Sequence, residues 1–237
     1  MNLKLREAQK LVLKAFSQEA EDFALAGGTA LELYYLHHRF SSDLDFFSRK
    51  YSVSEIDTLV EAFEKHLGRK IHLESEFVSG NKAAVRFYAI PVKSSNRPLK
   101  IDFVEDVVCI HPVIQKIDGI RVYSAKDLYL HKIAAISGTQ VITDEVGRQV
   151  SEGRKEARDV FDVYMLSKKI QPLHIFLRSL SPRFQKGIVH WYRTFSRQEL
   201  KLALMELDIY DTEFNARELV IYLENEIKQL NITKNEA

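Results

Sequence analysis

The chain has 237 residues, 46% of them hydrophobic, enough for one large domain or two small ones with buried cores. Its 34 basic and 33 acidic residues leave a formal net charge of +1, which excludes a protein that coats nucleic acid along its whole surface and restricts any such contact to a local patch. A lone cysteine, Cys109, excludes a disulfide within the chain; with no signal-peptide core and no long uncharged apolar window, a cytoplasmic protein without a membrane segment is expected.

Apolar residues at Leu5, Ala8, Leu11, Val12, Ala15 and Phe16 recur at helical spacing and predict a first helix that ends near residues 17–22. A short strand, Phe23 to Ala26, is then broken by Gly27-Gly28. Thr29 is placed to cap a helix whose apolar positions Ala30, Leu31, Leu33, Tyr34 and Leu36 lead to His37-His38. Ser41-Ser42 closes the next loop, and Asp43 to Phe47 reads as a strand. A helix from about Ser54 to His66 follows, with Ser52 or Ser54 as its cap. Ile71 to Val78, Ala83 to Ile90 and Leu99 to Val104 carry the β-branched and aromatic residues of strands, with Val107 to Ile110 as a continuation of the last. Turn-rich stretches, Ser79 to Asn81 and Pro91 to Pro98, separate them.

Beyond about Gly119 the periodicity is mostly helical, over Ser124 to Ile136, Gly153 to Lys168, Pro172 to Leu180, Arg197 to Leu207 and Glu213 to Leu230. Ser137 to Glu152, with two glycines and mixed charge, reads as a mobile loop, and Asn231 to Ala237 as a frayed end. The expected fold class is α+β. A mixed sheet flanked by helices occupies residues 1–120, and a C-terminal helical bundle occupies 121–237.

The chemistry concentrates around Asp43-Leu44-Asp45. Side chains alternate along a strand, so the two carboxylates share one face, roughly 6.6 Å apart at the backbone. Such a pair suits magnesium, or manganese in its place, because a cation relieves the mutual repulsion that would otherwise raise one pKa. Asp102, between Ile101 and Phe103, is the natural third carboxylate; Glu105 and Asp106 are rivals at the strand end. Gly27-Gly28 permits close approach of a triphosphate to the backbone, the following helix presents free N–H groups, and Thr29 adds a hydroxyl. Arg39 is placed either to reach a phosphate or the carboxylates, or to form a structural salt bridge. His37 and His38 are adjacent, which sets a zinc site aside.

The runs Gly27-Gly28-Thr29-Ala30-Leu31 and His38-Arg39-Phe40-Ser41-Ser42-Asp43-Leu44-Asp45-Phe46-Phe47 resemble the signature of the AbiEii/AbiGii-type nucleotidyltransferases, the toxins of abortive-infection, type IV toxin–antitoxin modules. The resemblance covers about Ala24 to Leu166. It implies a nucleotidyltransferase (polymerase-β-like) domain with Asp102 as third carboxylate, Lys132 on a helix, and an element Lys155-Glu156-Ala157-Arg158-Asp159-Val160-Phe161-Asp162.

Lys132 sits on a helix apolar nearly all round, so its ammonium needs a polar partner such as phosphate. Lys155, Asp159 and Asp162 recur at helical spacing as a charged face, either completing an active site in a cleft between the two halves or simply exposed. The implied activity is transfer of a nucleoside monophosphate from a nucleoside triphosphate (NTP) to a hydroxyl. The implied acceptor is RNA, such as a tRNA 3′ end, and the implied outcome is growth arrest or phage defence opposite a cognate antitoxin. An enzyme acting on a small molecule or protein hydroxyl, and a nucleotide-binding module without turnover, are the alternatives. Arg178, Arg183, Lys186, Arg193 and Arg197 forming one positive surface would favour RNA.

Overall fold

The computed structural model describes residues 2–79, 82–92, 95, 97–138, 141–143, 149–151 and 153–232. The turns expected at 79–81 and 91–98, the loop expected at 137–152 and the tail at 231–237 therefore lie partly outside the described residues. The chain divides into two compact units, one of Met1–Tyr35 and Phe40–Leu128, the other of Leu36–Arg39 and Tyr129–Ala237. Among the described residues no helix is long and apolar enough to cross a membrane.

The first unit is built on a seven-stranded sheet, formed by β1 (Ala24–Ala26), β2 (Leu44–Ser48), β3 (His72–Ser79), β4 (Lys82–Ile90), β5 (Leu99–Glu105), β6 (Ile114–Ile117) and β7 (Ile120–Tyr123). The spatial order is β3-β4-β5-β2-β1-β7-β6. The pairs β2/β5 and β1/β7 are parallel and the others antiparallel.

Helices α1 (Leu3–Glu19) and α3 (Val53–Leu67) supply the apolar cover. Phe16 stacks on Phe46 at 4.2 Å, and Phe46 meets Phe103 at 5.4 Å and Phe63 at 6.0 Å. All four rings are fully buried, each contributing roughly 1.5–3 kcal/mol of transfer free energy. Asn2 caps α1 and Ser52 caps α3 by accepting from backbone N–H groups. The Glu55 carboxylate fixes the approach to β1, accepting from the N–H of Glu21, Asp22 and Phe23 at 2.9, 3.0 and 3.2 Å.

Between β1 and β2 run the short helix α2 (Gly27–Ala30) and a π-helical turn, Leu31–Leu36. Thr29 lies inside this helical stretch, so it is not the cap that the sequence suggests. Val107 to Ile110 do not extend β5. The buried Asp106 carboxylate accepts from the N–H of Val108 and Cys109 at 2.9 and 3.0 Å and turns the chain there. Periodicity gives no sign of the β6/β7 hairpin.

In the second unit, α5 (Ala157–Lys169), α6 (Leu173–Arg178), α7 (Pro182–Thr194), α8 (Arg197–Met205) and α9 (Ala216–Ile232) pack together with the later part of α4 (Ala125–Ser137). A short hairpin, β8 (Val141–Thr143) with β9 (Gln149–Ser151), accompanies them. Tyr129 stacks on Phe176 at 4.1 Å, and Phe161 meets Phe214 edge to face at 5.0 Å. The Glu226 carboxylate accepts from both the backbone N–H and the ring of His174.

Candidate active site

Gly27, Gly28, Thr29, Asp43, Asp45 and Asp102 lie in the first unit. Asp45 lies between buried Leu44 and Phe46, and Asp102 between buried Ile101 and Phe103. Both carboxylates thus project from the sheet face opposite to the aromatic core. The register places them side by side, since Asp45 pairs with Asp102 across β2/β5 and with Ala26 across β1/β2. Ala26 is the residue before the glycine turn. Gly27 has φ +65°, a left-handed backbone that favours glycine, and a Cβ built there would lie 1.8 Å from Asp45 Oδ2. The turn and the acidic strand are therefore in direct apposition.

Asp43 directly precedes β2, and its Oδ1 accepts from Ser42 Oγ at 3.0 Å. The Thr29 hydroxyl is fully buried and donates to the Asp43 carbonyl, which binds the glycine turn to the start of the acidic strand. Gly28 is buried beside it. The rivals for the third carboxylate are placed differently. Glu105 accepts from Ala84 N–H at 3.0 Å and pairs with Ser48, three positions further along the strands than the Asp45/Asp102 pair. Asp106 holds the turn after β5.

Arg39, Lys132, Lys155, Arg158, Asp159 and Asp162 lie in the second unit, where four of them form a buried ionic cluster. Asp162 is 0% exposed and receives Arg39 through both carboxylate oxygens, Nε at 2.7 Å and an Nη at 2.8 Å. Lys132 Nζ lies 2.6 Å from Asp159 and 2.8 Å from Asp162, and Arg154 lies 3.3 Å from Asp159. His38 Nε2 joins Asp162 Oδ1 at 2.7 Å.

Burial alone would push the Asp162 carboxyl up, but Arg39, Lys132 and the His38 hydrogen bond outweigh it and hold the group well below the usual carboxylate range. Burial likewise raises Asp159, yet Lys132 and Arg154 leave it lowered. Lys132 is depressed by burial but raised overall by its two aspartates. His38 is lowered by burial more than Asp162 restores it, so its ring is neutral at neutral pH.

Of the two roles open to Arg39, the ion pair is the one observed. The partner that Lys132 requires is a pair of aspartates on α5. Lys155 precedes α5, whose first residue is Ala157, so it is not on the helix face assigned to it; Arg158 is half-buried, 4.0 Å from Glu156. Of the two readings of this charged face, simple exposure does not hold, because Asp159 and Asp162 are among the most buried residues of the helix. His38 was missed as a member, and its spacing carried no signal, since its partner lies 124 positions away.

No curated protein sequence matches the chain. Two Helicobacter pylori crystal structures share its fold. JHP933 aligns with a TM-score of 0.57 and 18% identity, covering 99% of this chain and 95% of its own. A second structure, of a protein provisionally assigned as a nucleotidyltransferase, aligns with a TM-score of 0.59 and 18% identity over 98% of this chain and 96% of its own. The family model described as "Nucleotidyl transferase AbiEii toxin, Type IV TA system" matches residues 11–218. That span takes in the glycine turn, the acidic strand, Asp102 and the buried cluster alike, and the chain accordingly belongs to the AbiEii family of nucleotidyltransferase toxins of type IV toxin–antitoxin systems.

Proposed function

We propose that this enzyme transfers a nucleoside monophosphate from an NTP to the terminal hydroxyl of an RNA, such as a tRNA 3′ end, in the cytoplasm, and that growth arrest or phage defence follows. The observation that carries this reading is the alignment of Asp45 with Asp102 on adjacent strands, with Asp45 held against Gly27. A nucleotide phosphate lying on the Gly27-Gly28 backbone would stand next to two carboxylates on the sheet face.

Asp43, Asp45 and Asp102 offer hard oxygen donors suited to Mg2+, with manganese as a substitute, and the space beside Gly27 that any Cβ would fill keeps Asp45 within the same site. When bound, the ion offsets phosphate charge and makes the α-phosphorus more electrophilic. Asp102 orients the acceptor hydroxyl and takes its proton. The acceptor oxygen bonds to the α-phosphorus, the bond to the β-phosphate oxygen breaks, and pyrophosphate leaves. The glycine backbone amides hold the phosphates in line.

The test is incubation with Mg2+, each labelled NTP and a total RNA pool, comparing the wild type with Asp45→Ala. Label should enter RNA only with the wild type. Equal transfer by both proteins removes the acidic strand from the reaction, and label on the protein itself replaces RNA with a protein hydroxyl as acceptor.

A further inference from the structure

The sheet face that carries the carboxylates continues past them. Asp102 pairs across β4/β5 with Phe87, and Phe87 pairs across β3/β4 with Ser75. One row across the face therefore reads Asp45, Asp102, Phe87, Ser75. The adjoining row reads Phe47, Val104, Val85, Phe77. Neighbouring strands are about 4.8 Å apart, so Phe87 stands one strand from Asp102 and roughly 10 Å from Asp45.

Phe77 meets Phe87 edge to face, with centroids 6.0 Å apart and planes at 79°. Phe77 is 61% exposed on β3, the edge strand. A bare aromatic ring on a sheet edge is a hazard that proteins avoid unless it serves something. Lys100, two residues before Asp102 on the same face, is exposed and pairs with the small Ala89.

Direction along the sheet identifies what these residues meet. In the reading above, the NTP phosphates lie at the Gly27-Gly28 end, beyond Asp45. The attacking group must then approach from the opposite end, over β5 and β4. We propose that Phe87, with Phe77 against its edge, is the stacking platform for the terminal unpaired base of the acceptor RNA, and that Lys100 takes a phosphate of the same strand. A π-face accepts any base, which suits an unpaired 3′ end, and the neighbouring lysine supplies the charge that a nucleic-acid strand needs. The inference rests on the proposed transfer reaction.

Two measurements test it. In the label-transfer assay, Phe87→Ala should raise KM for RNA on the order of tenfold, with KM for NTP and kcat at saturating RNA unchanged. Phe87→Trp should restore the wild-type value, whereas Phe87→Leu, apolar but unable to stack, should not. Separately, a single-stranded oligoribonucleotide ending in 3′ 2-aminopurine should lose fluorescence on binding wild type or Asp45→Ala, and keep it with Phe87→Leu.

Label transfer with unchanged KM and undiminished quenching in both Phe87→Ala and Phe87→Leu overturns the platform while leaving the reaction intact. Quenching that depends on Phe87, with no protein labelling RNA, keeps the platform and overturns the reaction. A raised KM for NTP in place of RNA assigns the ring to the nucleotide's base and overturns the proposal.

Discussion

A methyl group at Gly27 would fall 1.8 Å from Asp45 Oδ2, so Gly27→Ala must displace the carboxylate, and the left-handed backbone adds roughly 1–2 kcal/mol of strain. Nucleotidyl transfer is expected to fall at least a hundredfold while the thermal transition drops by only a few degrees; a variant with near wild-type turnover would show that Asp45 needs no support from the turn. His38 makes a second prediction. Its pKa is lowered from 6.5 in the folded state, so on acidification the unfolded chain takes up that proton first, and stability falls as pH drops below 6.5 towards the folded value. Urea unfolding between pH 7.5 and 5.5 should show a shallower loss for His38→Gln, which keeps a donor for Asp162 but does not titrate. Identical slopes would mean that other histidines carry the effect. The carboxylates were legible because strand alternation is local. His38 was not, because its meaning depends on a residue 124 positions later.

The elements divide along similar lines. β2 and β5 follow from alternation of apolar and acidic residues, and α3 from its period and its Ser52 cap. The β6/β7 hairpin is too short for a period to show, although Asp118 and Gly119, at φ 49° and 82°, occupy a turn whose Asp-Gly sequence was the available signal. α7 begins with Pro182 in its first turn after Ser181, another signal that composition obscured. α5 follows from its period, but its charges leave two readings open in the sequence, an active-site face or an exposed one, because their partners come from elsewhere in the chain. Lys132→Met tests that correction. It leaves Asp159 and Asp162 buried with one cation fewer, and a loss of about 3–5 kcal/mol in denaturant unfolding is expected. A loss under about 1 kcal/mol would place the lysine in the exposed-pair class.

For the molecule as a whole, a net charge of +1 confines phosphate contacts to a local patch, so few counterions are released when an RNA binds. Arg178 donates to the Gln229 carbonyl, and Arg197 lies over the Tyr192 ring at 4.9 Å, so of the five basic residues named from the sequence these two have contacts within the protein. One or two phosphate contacts predict that KM for RNA rises only about three- to sevenfold between 50 and 200 mM salt. A rise of about a hundredfold would mean that the whole basic set engages the strand.

Residues 36–39, flanked on both sides by chain of the other unit, carry a different consequence. The segment passes through His37 at φ 51°, and Lys169 donates to the Leu36 carbonyl, Tyr210 N–H to the His38 carbonyl, and Arg39 to Asp162. A fragment of residues 129–237 would lack the bidentate partner of a fully buried carboxylate, and is expected to remain unfolded by circular dichroism. In a growing polypeptide the same dependence becomes a matter of timing. His38 emerges 124 residues before Asp162, and at about 5–20 residues per second it waits roughly 6–25 s for its partner. Until then the second unit is incomplete, so a toxin still being translated remains without one of its parts until Asp162 has emerged.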